Sequence, residues 1–266
     1  MKLNLTSKFL SLFVVAALTL TSCGNDDDDN PQPGTGVEAA CKLTNIMYGD
    51  SEGDESNNVV EYNAKGLISK VTYSYSDGEE EIEGYTTFTY DSNDRLVKEE
   101  EFENGELYEY RVYTYSNGVL SKREEFDAEN VSDGVETFKY DASKRIIEIT
   151  ESYDGETYKT TFTYNSQGNI SKSEGFYEGE LEYTDTYSGY DNKNTPFSAV
   201  KGFIEPWMGS SKNNPGKITT TFEMDGEEYS YEVDYSYTYN DKGFPTRVIE
   251  TFNGEEYETN YTYQCK

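Results

Sequence analysis

The sequence predicts an all-β fold: an antiparallel meander of repeated β-hairpins that makes an open, twisted sheet, with one irregular insert over residues 191–217. Three observations predict it. Only 34% of the 266 residues are hydrophobic, yet 26 are Tyr and 13 are Phe, types that bury much area each and favour strands. A Tyr, most often followed by Asp or Asn, recurs at Tyr62, Tyr90, Tyr115, Tyr140, Tyr164, Tyr190, Tyr239 and Tyr263, with intervals of 28, 25, 25, 24, 26, 49 and 24 residues. Between these anchors stands a second turn pair, such as Asn104-Gly105, Asp133-Gly134, Asp154-Gly155, Asp225-Gly226 and Asn253-Gly254. Asn-Gly and Asp-Gly suit tight hairpins because both positions tolerate positive φ.

The chain opens with an address. Lys2 and Lys8 precede an apolar run, Phe9 to Leu20, too short to be a stable transmembrane helix, so residues 1–22 read as a signal peptide. Leu20-Thr21-Ser22-Cys23 resembles the lipobox of bacterial lipoproteins. That resemblance implies cleavage before Cys23 and a diacylglycerol on its sulfur, which makes the membrane a partner through a lipid anchor. An ordinary secretory signal with a chance Cys is the other reading. Residues 23–36 are then a tether, with an acidic run at Asp26–Asp29 followed by Pro31, Pro33, Gly34 and Gly36. An acidic run just after the lipidated Cys resembles the surface-export signal of Bacteroidetes lipoproteins and implies the outer face of the outer membrane. A periplasm-facing anchor with a self-repelling tether is the alternative.

Residues 37–266 read as a single β domain. Two turns per period leave two strands of roughly eight to ten residues. In the strand entering each anchor, Phe88/Tyr90, Tyr113/Tyr115, Phe138/Tyr140, Phe162/Tyr164, Tyr237/Tyr239 and Tyr261/Tyr263 share one face, and the Thr residues between them share the other. The strand leaving the anchor is expected to set Leu96, Lys98, Glu100 and Phe102 on one face, with Val97, Glu99, Glu101 and Glu103 on the other. Its far half is expected to be solvated on both sides. Copies such as YNAKGLISK (62–70), YDSNDRLVK (90–98) and YNSQGNISK (164–172) resemble the YD repeat of Rhs-type proteins, and with the lipobox the chain resembles YD-repeat lipoproteins of Bacteroidetes. The resemblance implies the β architecture and no particular activity.

The insert carries Pro196, Pro206 and Pro215, which exclude a central strand, and the apolar side chains Phe197, Phe203 and Trp207. Those three are the candidate ligand contacts; a packed loop covering one end of the sheet is the competing reading. Cys41 and Cys265 are left once Cys23 is lipidated, and an extracytoplasmic location favours a disulfide between them over two free thiols.

Chemistry is bounded by what the composition lacks. There is no His, so no His base and no His metal ligand. Lys plus Arg is 22 against 52 acids, a net charge of −30 that opposes any nucleic-acid contact. No metal or cofactor is implied beyond the lipid on Cys23, and the many carboxylates read as a solvated acidic face. The expected function is a non-catalytic binding or scaffold module for a glycan or a surface protein. A glycan-degrading hydrolase using paired carboxylates is the alternative.

Overall fold

A computed structural model describes residues 41–49, 55–76, 81–200 and 211–266. The leader, Cys23, the Asp26–Asp29 run, Phe203 and Trp207 lie outside the described residues. Sixteen strands follow in order: β1 (Cys41–Gly49), β2 (Glu55–Tyr62), β3 (Ile68–Ser76), β4 (Glu81–Tyr90), β5 (Leu96–Glu103), β6 (Glu106–Ser116), β7 (Val119–Asp127) and β8 (Ser132–Tyr140). The second eight are β9 (Ile146–Tyr153), β10 (Glu156–Tyr164), β11 (Ile170–Tyr177), β12 (Glu180–Ser188), β13 (Lys217–Met224), β14 (Glu227–Tyr239), β15 (Pro245–Phe252) and β16 (Glu255–Cys265). A turn of 3-10 helix, Pro196–Ala199, is the only helical segment among the described residues.

Every strand pairs antiparallel with its neighbours in sequence, as the meander reading expects. The sheet is not open, however: β1 pairs with β16 and the sixteen strands close into a barrel. The physical reason is cumulative twist. Each pair of strands rotates by a small constant angle, and a long enough meander brings its last edge round to its first, where pairing satisfies two rows of bare N–H and C=O groups. Cys41 and Cys265 are directly opposite in the closing register, and their sulfurs are bonded.

The Tyr-Asp/Asn motif builds one end of the barrel. The side-chain oxygen of Asp91 accepts the N–H groups of Asn93 at 2.8 Å and Arg95 at 3.0 Å. Asn63, Asp141, Asn165 and Asn240 make the same pair of bonds in their own turns. The residue three places on takes positive φ, at Gly66, Asp94, Lys144, Gly168 and Gly243, which is why Gly recurs there. The Tyr hydroxyl then reaches back one repeat. Tyr140 donates to the Leu120 carbonyl at 2.8 Å, Tyr164 to Ile146 at 2.7 Å, Tyr190 to Ile170 at 2.6 Å and Tyr62 to Leu43 at 2.6 Å.

Two local expectations are corrected. Asp133-Gly134 is not a turn but part of β8; the connection before it is a Tyr-Asp-type turn at Asp127, whose carboxylate accepts Glu129 and Val131 N–H. The strand leaving the anchor is not solvated on both sides. A bulge pairs Tyr90 with Leu96 while Thr89 pairs with Lys98, which switches the phase of β5. Leu96, Glu99 and Glu101 therefore join the ring-bearing face, where Leu96 is fully buried and Glu99 is only 4% exposed.

That face is the inside of the barrel. Leu96, Tyr113, Leu120, Phe138, Ile146, Ile149, Phe162 and Ile170 form one buried cluster across β5–β11. Cys41, Leu43, Phe244, Val248 and Tyr261 form a second around the closing seam.

Candidate functional site

The outer wall is mostly polar, with the stacked pairs Tyr85–Phe102 and Tyr110–Phe126 among its outward positions. Along β14 the outward positions are Ser230, Glu232, Asp234, Ser236 and Thr238, all exposed, and along β10 they are Thr157, Lys159, Thr161 and Thr163. Ion pairs knit neighbouring outward positions, including Lys98–Glu100 at 2.7 Å, Lys122–Glu124 at 2.6 Å and Lys172–Glu174 at 2.6 Å. A barrel that crosses a bilayer shows the reverse pattern, apolar outside and polar within.

The inner wall changes character along the strands. Nearest the Tyr-Asp turns it is apolar and buried, through the two clusters already described. From mid-height towards the hairpin turns it carries charge, most densely on β5–β8. Arg111 pairs with Glu109, with Glu125 at 2.7 Å and with Glu99 at 3.8 Å; Arg123 pairs with Glu136; the Tyr73 hydroxyl donates to Glu101 at 2.7 Å. Asp185 accepts from Thr220 at 2.7 Å and Ser173 at 3.1 Å. Burial is the leading cause of the shifts here: it lifts Glu109 to about 7 against the pull of Arg111, with Glu125 and Glu101 adding to the lift. It likewise lifts Glu136 to about 7 against Arg123 and Glu250 to about 8 against a hydrogen bond from Tyr235. The acids are thus not simply a solvated face.

At the hairpin-turn end the inner wall of β9–β15 exposes rings. Tyr158 and Tyr177 lie 5.0 Å apart by centroid. A run continues from Tyr229 to Phe222 (5.8 Å), Phe222 to Tyr231 (6.3 Å) and Tyr231 to Phe252 (5.3 Å). Tyr229 and Tyr231 are each 40% exposed although they share the inward face with buried Val248. Tyr183 lies flat against Gly175, where a Cβ would collide with its ring. These rings face the lumen without being packed away, and they are the candidate site.

The insert is anchored rather than free where it is described. Asp191 accepts the Asn214 side chain at 3.0 Å and Tyr239 donates to it; Asn169 accepts Lys212 N–H at 2.7 Å and Asn213 N–H at 3.0 Å. Phe197 packs edge-on against Tyr261, centroids 6.4 Å apart, over the seam cluster. Of the three candidate contacts in the insert, Phe197 is therefore placed in packing, while Phe203 and Trp207 lie outside the described residues. A separate groove of about 630 Å³ opens by the seam, with outward-facing Met47, Asn57, Ser74, Ile249 and Asn260 among its lining.

Sequence reasoning missed the charged belt and the exposed rings. A signal for the belt exists: Arg111, Glu136 and Asp185 each stand two places before an inward ring, in phase with it.

No protein-family model matches the chain, and no curated protein does either. Among solved structures the chain is similar to a porin-like protein from Bacteroides uniformis ATCC 8492, with 16% identity and a TM-score of 0.60 over 84% of this chain and 97% of that one. That likeness extends to the antiparallel barrel fold. A weaker similarity is to the TcdB2-TccC3-Cdc42 structure, with 13% identity and a TM-score of 0.28 over 80% of this chain. Another is to the Photorhabdus luminescens Tc holotoxin pore, with 12% identity and a TM-score of 0.26 over 79% of this chain. The chain spans 11% of the length of each of those two.

Proposed function

We propose that this chain is a non-catalytic glycan-binding lipoprotein of the outer membrane, with YD-type repeats, displayed at the cell surface and held there by lipid on Cys23. The observation that carries the reading is the wall pattern: ion-paired and hydroxyl side chains over most of the outside, and an apolar core, a charged belt and exposed rings within. Such a barrel stands in water, so its attachment falls to the lipid and the tether at residues 23–36. The porin-like character named for the Bacteroides uniformis protein supports an outer-membrane setting. It does not extend to a conduit, since the inner wall near the Tyr-Asp turns is apolar and buried.

Exposed Tyr rings stack on the apolar faces of sugars while their hydroxyls meet sugar hydroxyls, so the mouth suits a glycan. A peptide adding as a strand would need a free sheet edge, and the closed barrel offers none. Of the inner-wall carboxylates, Glu99, Glu109, Glu125 and Glu136 are engaged with Arg111 and Arg123, which favours binding over the paired-carboxylate hydrolase.

Two measurements test the reading. Cys23→Ala should move the protein from the membrane to the soluble fraction; a variant that still sediments with membranes would contradict a lipid-held barrel. The full chain, screened in detergent against a panel of glycans, should retain at least one without cleaving it, and Tyr231→Ala should weaken that retention. Release of shorter products would return the enzyme reading.

A further inference from the structure

We infer that the mouth of the barrel selects a glycan bearing protonated amines, gripping its sugar faces on the rings of β13–β15 and its charges on the carboxylates of the opposite wall. The inference rests on the glycan-binding reading above and adds the ligand's charge.

In a closed ring of sixteen strands, β5–β7 and β13–β15 are eight strands apart and so face one another across the lumen. Depth also matches. Tyr229 and Tyr231 stand three and five residues beyond Gly226 of their hairpin turn; Glu101 stands three before Asn104 and Glu109 four after Gly105. Both walls therefore present these side chains at a similar height, near the open end.

Next comes the sign of the field. Glu101 and Glu109 are directly opposite in register, an arrangement in which like charges repel. Glu125 sits on the adjacent strand, opposite Arg111. Arg111 thus serves Glu109, Glu125 and Glu99 together, which leaves carboxylate in excess on that wall. Burial is the main cause that lifts Glu109 to about 7, and the neighbouring Glu125 and Glu101 add to the lift. A ligand cation entering there replaces a repulsion by an attraction, whereas an anionic glycan meets both this wall and a net charge of −30. A neutral glycan uses the rings alone. The faces of Tyr229 and Tyr231 are themselves favourable to a cation, so both walls agree on the sign.

The test compares two oligosaccharides of equal length and linkage that differ only in charge: a glucosamine hexamer and its fully N-acetylated counterpart. Binding to the full chain is measured at near-neutral pH and low salt. The amine hexamer is expected to bind about tenfold more tightly, a preference that shrinks as salt is added. The double variant Glu101→Gln/Glu109→Gln should erase the preference by weakening the amine hexamer. Glu103→Gln, half-exposed at the rim, serves as a second variant with less effect on the fold. Tyr231→Ala should weaken both hexamers. Equal affinity of the two hexamers for the unaltered chain would overturn the inference and leave the glycan-binding reading standing, as would a preference that survives both Gln variants. Failure of both hexamers to bind would overturn the inference, and the glycan-binding reading falls with it only if the whole panel also fails to bind.

Discussion

The two ends of the barrel are made from the same strands and obey opposite rules. At the Tyr-Asp end the repeats draw on the same few groups: in most copies a carboxylate or amide that holds the turn, at Tyr62, Tyr140, Tyr164 and Tyr190 a hydroxyl that reaches back to the previous repeat, and a Leu or Ile buried beneath. At the hairpin end the residue before the turn differs in nearly every copy, from Glu103 to Tyr153, Tyr177, Met224 and Phe252. The difference teaches how a repeat divides its labour. Closure and stability are set at one end, so the other end is free to vary its side chains copy by copy, and that is where charge and exposed rings accumulate.

The comparison can be broken first in the core. Leu96→Ala removes a fully buried side chain at the Tyr-Asp end and should cost about 2–5 kcal/mol in denaturant unfolding. Leu181→Ala, 53% exposed near a hairpin turn, should stay within about 0.5 kcal/mol. Equal costs would abolish the distinction between the ends.

A second contrast comes from pH. Burial lifts Glu250 from an ordinary 4.5 to about 8, so the folded chain holds a proton there that the unfolded chain has released. The stability this contributes is present below about pH 4.5 and is lost as pH rises through about 8. Melting temperature should therefore fall between about pH 5 and pH 8.5, and Glu250→Gln should recover on the order of 2–4 kcal/mol at the upper limit and almost nothing at the lower. A Gln variant with the same pH slope as the unaltered chain would locate the sensitivity elsewhere.

The smallest effect sharpens the comparison. Tyr140→Phe removes the hydroxyl that donates to the Leu120 carbonyl and should cost about 1 kcal/mol. Tyr158→Phe removes an exposed hydroxyl 3.1 Å from Glu156 and should be close to neutral.

Much of the architecture was legible in the sequence because it is local. A Tyr, a turn carboxylate and a Gly three places on are read from nine consecutive residues, and period-two rings identify the strand and its buried face. The closed barrel was not legible, because no single copy encodes the small rotation that sums to a closed ring. The phase of β5 was missed for a related reason: the bulge at Leu96 inserts one residue and flips every side chain after it, and Val97 bears no mark of being the extra one. The candidate site was the least legible part. Trp207 and the prolines draw the eye to the insert, whereas Tyr229 and Tyr231 look like any other ladder rings until their exposure is known.

The bond between Cys41 and Cys265 joins the first strand to the last, so the covalent path through the barrel has no loose end within it. A protease that cuts at any one exposed hairpin, such as Asp154-Gly155, leaves a single covalent molecule. Were the bond reduced, the seam would be held only by its ladder and core. If it parted, two rows of N–H and C=O groups would be bared, the kind of edge that invites pairing with another chain. The disulfide thus guards the two edges that closure hides.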